Sequence, residues 1–157
     1  MKKIIGVLIF LSIITVFNVG SVFAESKSPL QSEVDKLIGI PYLYGGTTTE
    51  GFDCSGFIQY VYNQVNVELP RTTKLQAKEG VKVEKKNLRA GDLVFFNTDG
   101  TGISHAGIYM GEGLFSHSSA SKGVRISKLS EDYYVERYVT ARRIISNDEY
   151  KKLAEDR

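Results

Sequence analysis

Three side chains in this sequence could together carry out nucleophilic chemistry: Cys54, His105 and His117. They are the one cysteine and the two histidines of a 157-residue chain. A lone thiol has three ordinary readings: an inert core group, a half of an intermolecular disulfide, or a reactive nucleophile. The surroundings of Cys54 bear on the third. After it, Phe57, Ile58, Val61 and Tyr62 recur at the spacing of one helix face, which sets Cys54 in the first turn. The start of a helix carries partial positive charge and free N–H groups, so a thiolate there is stabilised and its pKa is expected to fall.

The histidines bound the segment HAGIYMGEGLFSH, in which Gly111 and Gly113 mark a tight turn between strand-forming residues. A three-residue loop, Met110 to Glu112, would set His105 directly opposite His117 on the same face. A four-residue loop would shift the pairing by one and keep them close. One imidazole could then accept the thiol proton, while the other hydrogen-bonds to its far nitrogen and fixes the tautomer. Two other readings of these residues stand beside that one. A cysteine and two histidines are zinc ligand types, although a structural zinc site usually takes four and no fourth is evident. The histidines could also be polar residues on a sheet edge.

The elements that must position these groups are legible in outline. Leu30, Val34, Leu37 and Ile38 give a helix over about 30–38, ended by Gly39 and Pro41. The glycine- and threonine-rich stretch PYLYGGTTTEGFD reads as a loop leading into the Cys54 helix, which runs to about Gln64. A short helical piece follows around Thr73 to Glu79, then a turn over 87–92. Strands are predicted at Leu93–Phe96, His105–Met110, Leu114–Ser118, Val124–Ile126 and Tyr138–Ile145. Helices first and strands after define an α+β domain, with helices on one side of an antiparallel sheet.

The chain length suits one domain, placed at 25–147, with a polar tail at 148–157 that could be helical. Residues 1–24 have the n-, h- and c-regions of a secretory signal peptide: Lys2 and Lys3, the apolar run Ile4–Phe17, and Val22-Phe23-Ala24 before the cut. The apolar run is short for a spanning anchor, so no stable membrane anchor is expected after cleavage at Ala24, and the protein is expected outside the cell or in its envelope. Removing Lys2 and Lys3 leaves 18 Lys and Arg against 18 Asp and Glu. A near-neutral chain with no basic stripe argues against nucleic acid as a partner.

Taken in order, the segments GIPYLYGG, GFDCSGFIQYVY, LPRTTKLQA, LRAGDLVFF, HAGIYMGEGLFSHSS and YVTARRI resemble the NlpC family of bacterial cell-wall cysteine peptidases. The likeness runs from about Val34 to Ile145. It implies a papain-like α+β fold with a nucleophile helix packed on an antiparallel sheet. It also implies hydrolysis of peptidoglycan stem peptides, usually at the bond from the γ-carboxyl of D-glutamate to the following diamino acid. Position by position, Cys54 would be the nucleophile, His105 the base and His117 the residue that orients it. Tyr42 would help hold the oxyanion. Asp53 and Ser55 match positions that contact substrate, and Arg71 matches an arginine of the groove. No metal and no organic cofactor are implied, and a monomer is expected.

Each of these positions also has a plainer reading. Tyr42 could be a packing aromatic, Asp53 a helix N-cap, Ser55 a surface hydroxyl of the first turn, and Arg71 a solvated cation. The sequence departs from the family pattern at Ala90, where proline is usual, and at Tyr44, where tryptophan is frequent. Two rivals to the peptidase remain: a thiol amidase or acyltransferase using the same dyad on another amide, and a non-catalytic module that binds wall peptides.

Overall fold

A computed structural model describes residues 28–155 of the chain; the signal-peptide reading falls outside them. The first helix, α1 (Pro29–Leu37), starts on a reciprocal cap. The Ser28 hydroxyl accepts from the Gln31 N–H, and the Gln31 side chain accepts from the Ser28 N–H. It buries Leu30, Val34 and Leu37, one face at helical spacing. A two-residue hairpin, β1 (Thr47–Thr48) and β2 (Gly51–Phe52), leads directly into α2 (Cys54–Asn63). That helix buries Phe57, Ile58, Val61 and Tyr62.

After the short helix α3 (Thr73–Gln76) come six strands of one antiparallel sheet. They are β3 (Val81–Val83), β4 (Leu93–Phe96), β5 (His105–Gly111), β6 (Leu114–Ser119), β7 (Gly123–Lys128) and β8 (Tyr138–Arg143), in the order β3-β8-β4-β5-β6-β7. Helix α4 (Asp132–Arg137) precedes β8, and α5 (Asn147–Glu155) follows it.

The run LVFF of β4 explains the layering. All four residues are fully buried, as expected of a strand covered on both faces. Leu93 and Phe95 join α1 and α2 in one core, with Ala106 and Ile108 of β5. Val94 and Phe96 join a second core with Phe115, Leu129, Ala141 and Tyr134 of α4. The α+β architecture is thus as expected, except that α4 covers the face opposite α1 and α2. Its apolar content rests chiefly on one buried residue, Tyr134, too little to show as a periodic stripe.

One contact ties α2 to the turn before β4, and a second ties that turn to β8. The Tyr62 hydroxyl donates to the Gly91 carbonyl, in the turn before β4. Just beyond, the buried Asp92 carboxylate accepts from Arg143 through both oxygens, each at 2.8 Å, tying β4 to β8. The polar tail begins as part of the domain: Tyr150 of α5 packs against the first core, under the guanidinium of Arg89 at 4.4 Å from its ring centre.

Candidate active site

The Cys54 thiol is positioned by a loop that wraps the start of its helix. Asp53 is the N-cap, extended at φ −84° and ψ 175°, and its Oδ1 accepts from the Gly56 N–H at 2.7 Å. The Asp53 N–H donates to the Gly46 carbonyl at 3.2 Å, and the Gly45 N–H donates to Asp53 Oδ2 at 3.1 Å. A side chain at Gly56 would collide with the Gly46 carbonyl, so glycine is what lets the loop lie against the helix.

Below the thiol, Thr73 of α3 brings its Oγ1 to 3.4 Å from the Cys54 sulfur. The fully buried Gln76 holds α3 there, donating to the Ser55 carbonyl at 3.1 Å and the Pro70 carbonyl at 2.9 Å. The Thr73 contact and the Gln76 tether are absent from the sequence reading. Their only trace there is the segment LPRTTKLQA, which says nothing about where α3 packs.

Arg71 is engaged with the helix start rather than solvated. Its Nη1 donates to Asp53 Oδ1 at 3.0 Å and to Ser55 Oγ at 2.8 Å, and its Nη2 donates to Asp53 Oδ2 at 2.6 Å. Ser55 Oγ in turn donates to Asp53 Oδ1 at 3.2 Å. Partial burial works against the Asp53 carboxylate, but the bonds from Arg71 and Gly56 outweigh it and hold the group below the usual carboxylate range. The plain N-cap role of Asp53 is real, and the ion pair is added to it.

The histidines meet by a route different from the expected one. Ile108 pairs with Ser116 and Tyr109 with Phe115, and the ladder shifts at the turn, where Gly111, Glu112 and Gly113 all have positive φ. The left-handed run moves the turn beyond Met110. His105 and His117 are therefore diagonal rather than directly opposite, and the register sets Gly107 across from His117. A Cβ on Gly107 would stand 2.6 Å from the Phe115 ring and 3.2 Å from the His117 Cβ. The bare glycine leaves room for the His117 ring to lean toward His105. His105 Nε2 and His117 Nδ1 are 2.9 Å apart, with the rings nearly perpendicular at 88°.

The far nitrogen of His117 is also engaged. Nε2 lies 3.1 Å from Ser127 Oγ and 3.3 Å from the Tyr134 hydroxyl. Phe115 stacks on the His117 ring at 4.9 Å, and Phe96 lies 6.2 Å from His105. Neither Ser127 nor Tyr134 was visible as a site residue in the sequence, because both reach His117 only through the β6–β7 pairing and the fold of α4.

Desolvation sets the charge state of this site. Burial lowers His105 to about 4. It lowers His117 to about 3, with smaller contributions from His105 and Arg125. Burial pushes the Cys54 thiol up, against opposing bonds from Thr73 and the Ala106 and Ser55 N–H groups. The lowered thiol pKa expected from the helix start is thus reversed. The apolar surroundings of the sulfur cost a thiolate more than the helix N–H groups return. At neutral pH the site holds a neutral thiol and two neutral imidazoles.

The influence of the Ala106 N–H on the thiol also locates it: the sulfur lies against the start of β5, next to His105. Of the ring nitrogens of the pair, His105 Nδ1 is the one that the hydrogen bonds to His117, Ser127 and Tyr134 leave open. Tyr42 is close to the same helix start. Its backbone bridges Phe52, and burial, followed by the nearby Cys54 and Asp53, raises its hydroxyl pKa. All seven residues singled out in the sequence therefore gather around α2's first turn. Among the described residues, no group of three or more His, Cys, Asp or Glu side chains is arranged to hold a metal ion. A depression between β3 and the start of α5, lined by residues including Gly80, Arg143 and Ser146, contains none of the seven.

A helix-borne thiol beside a strand-borne imidazole, on a mixed α+β frame, is the arrangement of papain-like cysteine peptidases. The chain belongs to the NlpC/P60 family, whose model matches residues 39–143. It is 49% identical over 123 residues to the gamma-DL-glutamyl hydrolase of Bacillus subtilis, covering 76% of this chain and 30% of that protein. It is 45% identical over 123 residues to the murein DD-endopeptidase MepS/murein LD-carboxypeptidase of Escherichia coli K12, covering 78% of this chain and 65% of that one. The chain thus spans from under one third to just under two thirds of the length of these relatives. Among solved structures, an NlpC/P60 family protein from Bacillus cereus superposes with a TM-score of 0.70 at 39% identity, over 73% of this chain and 39% of that one.

Proposed function

We propose that this protein is an exported cysteine peptidase that hydrolyses peptidoglycan stem peptides at the γ-D-glutamyl–diamino acid bond. The observation that carries the reading is the His105–His117 bond at 2.9 Å, which occupies His105 Nε2 and leaves Nδ1 for the thiol. The names of the relatives, a glutamyl hydrolase and a murein endopeptidase, support the substrate class.

In this mechanism the Cys54 proton passes to His105 Nδ1 as the sulfur attacks the amide carbonyl carbon. A C–S bond forms and the carbonyl oxygen becomes an oxyanion, held by the Cys54 N–H and the Tyr42 hydroxyl. Collapse breaks the C–N bond, and the His105 imidazolium gives its proton to the departing amine. Water, deprotonated by His105, then attacks the thioester, releasing the γ-carboxylate and restoring the thiol. Asp53, Ser55 and Arg71 form the charged wall that would receive the polar end of the peptide. In this reading residues 1–24 direct export and 25–147 form one peptidase domain, so N-terminal sequencing of the secreted protein should begin at Glu25.

Defined muropeptides that offer both the γ-D-glutamyl–diamino acid bond and a D,D cross-link test the assignment, with products read by mass spectrometry. Products cut after γ-D-glutamate are expected. Cutting at the cross-link alone would keep the chemistry and overturn the substrate bond, and intact peptide retained by the protein would favour a wall-peptide binding module.

A further inference from the structure

We propose that Ser127 and Tyr134 are positioning residues, a pair of hydroxyl acceptors that holds the His117 proton on Nε2 and so keeps His105 Nδ1 free to take the thiol proton. The inference rests on the assignment of Cys54 as nucleophile and His105 as base.

A neutral imidazole has one N–H and one lone pair. For His105 to receive the thiol proton at Nδ1, its own proton must sit on Nε2. That N–H can point only at His117 Nδ1, 2.9 Å away, which must therefore be bare. The single proton of His117 is then on Nε2, and it needs an acceptor. His117 is 1% exposed, so water is not the general supplier. Two oxygens stand at the right place: Ser127 Oγ at 3.1 Å and the Tyr134 hydroxyl at 3.3 Å. Both come from outside the His105–His117 hairpin, Ser127 from β7 and Tyr134 from α4. Both are themselves buried, at 3% and 9% exposure.

The opposite tautomer of the pair would aim a His105 Nδ1–H at the sulfur, and no proton could be accepted there. Hydroxyls suit the task because they accept without carrying charge. A carboxylate in the same place would pull the His117 proton toward a buried ion pair. Each oxygen is within hydrogen-bond distance of Nε2 on its own, so either can serve if the other is lost.

Two measurements on the full chain test this. The first needs no variant and no substrate: the imidazole 15N shifts of the wild-type protein at pH 7 report which nitrogens carry protons. A protonated Nε2 and a bare Nδ1 are expected on His117; a protonated Nδ1 would overturn the proposal. Because this readout is independent of peptide cleavage, it can hold even if the peptidase assignment fails.

The second compares Ser127→Ala, Tyr134→Phe and the double variant, after thermal melts show that each is folded. Each single change should lower kcat by about 3-fold or less, because one acceptor remains. The double change should lower kcat by roughly 10- to 100-fold, the scale set by a buried donor left without a partner, with KM moved about 2-fold at most. Ser127→Thr in the Tyr134→Phe background keeps one hydroxyl and should restore most of the loss. A folded double variant with wild-type kcat, or one in which KM alone changes, would overturn the assignment.

Discussion

Arg71 grips Asp53 with both ends of its guanidinium, at 3.0 Å and 2.6 Å, while Asp53 caps the helix that begins with Cys54. One carboxylate therefore serves two purposes: it stabilises the helix start, and it fixes a charged wall beside Cys54. The two can be separated. Asp53→Asn keeps a capping oxygen and loses the ion pair, whereas Asp53→Ala loses both. Asp53→Ala should cost about 1 kcal/mol of stability and Asp53→Asn much less, because asparagine caps as well as aspartate. If the wall receives substrate, both should raise KM by roughly 10-fold. Thermal melts beside steady-state kinetics distinguish the two effects.

Thr73 is expected to matter through the sulfur alone. Its hydroxyl, 3.4 Å from Sγ, opposes the burial that raises the thiol pKa. Thr73→Val keeps the shape and removes the donor. The thiol should titrate at higher pH, and alkylation by iodoacetamide at pH 8 should slow by about 3- to 10-fold, since a hydrogen bond contributes roughly 0.5–1.5 kcal/mol net. An unchanged pH–alkylation profile would remove Thr73 from the account. The same raised pKa means that slow alkylation of the wild-type thiol near neutral pH is no sign of a dead site.

The acid side of the stability profile follows from the histidines. Both have folded-state values, about 4 and about 3, below the ordinary 6.5. As pH falls, the unfolded chain takes up these protons first. Stability is therefore fully present above pH 6.5 and is lost between there and pH 3–4. The lowered Asp53 carboxyl extends the loss below its ordinary 3.8. A fall in Tm of roughly 5–10 °C between pH 7 and pH 5 is expected by calorimetry. His117→Phe, if folded, should flatten that slope.

Gly107 is where the histidine pair is most exposed to a small change. Gly107→Ala would press a methyl group on Phe115 and against the His117 Cβ. Overpacking of this kind costs about 1–3 kcal/mol. Activity should fall as well, because relief requires β6, which carries Phe115, Ser116 and His117, to shift, and the His105–His117 bond shifts with it. A variant with lowered Tm and intact kcat would show that the pair tolerates the shift.

Much of this arrangement was legible in residue order. The apolar spacing defines α1 and α2, and LVFF reads as a strand, although the covering of both its faces appears only once α4 is placed. Cys54, His105 and His117 come from residue type and spacing, and Tyr42, Asp53, Ser55 and Arg71 from the family resemblance of the segments around them. The remainder depends on pairing between distant segments. The edge strand β3 is three residues long with two exposed, so it carries no alternation to detect. The true hairpin register turns on three successive positive φ angles, which a glycine pattern suggests but does not locate to the residue. Ser127 and Tyr134 look like ordinary strand and helix residues until β7 and α4 fold over His117. The thiol pKa was misjudged for the same reason: the helix start is local and visible, whereas the burial around it belongs to the assembled core.

The most direct measurement of the central claim is a single-turnover comparison of the wild type with Cys54→Ala, His105→Ala and His117→Ala on one γ-D-glutamyl–diaminopimelate peptide. Cys54→Ala and His105→Ala should lose at least about 1000-fold, and His117→Ala should lose less, because it acts through His105. Cleavage by Cys54→Ala at the wild-type rate would contradict the account.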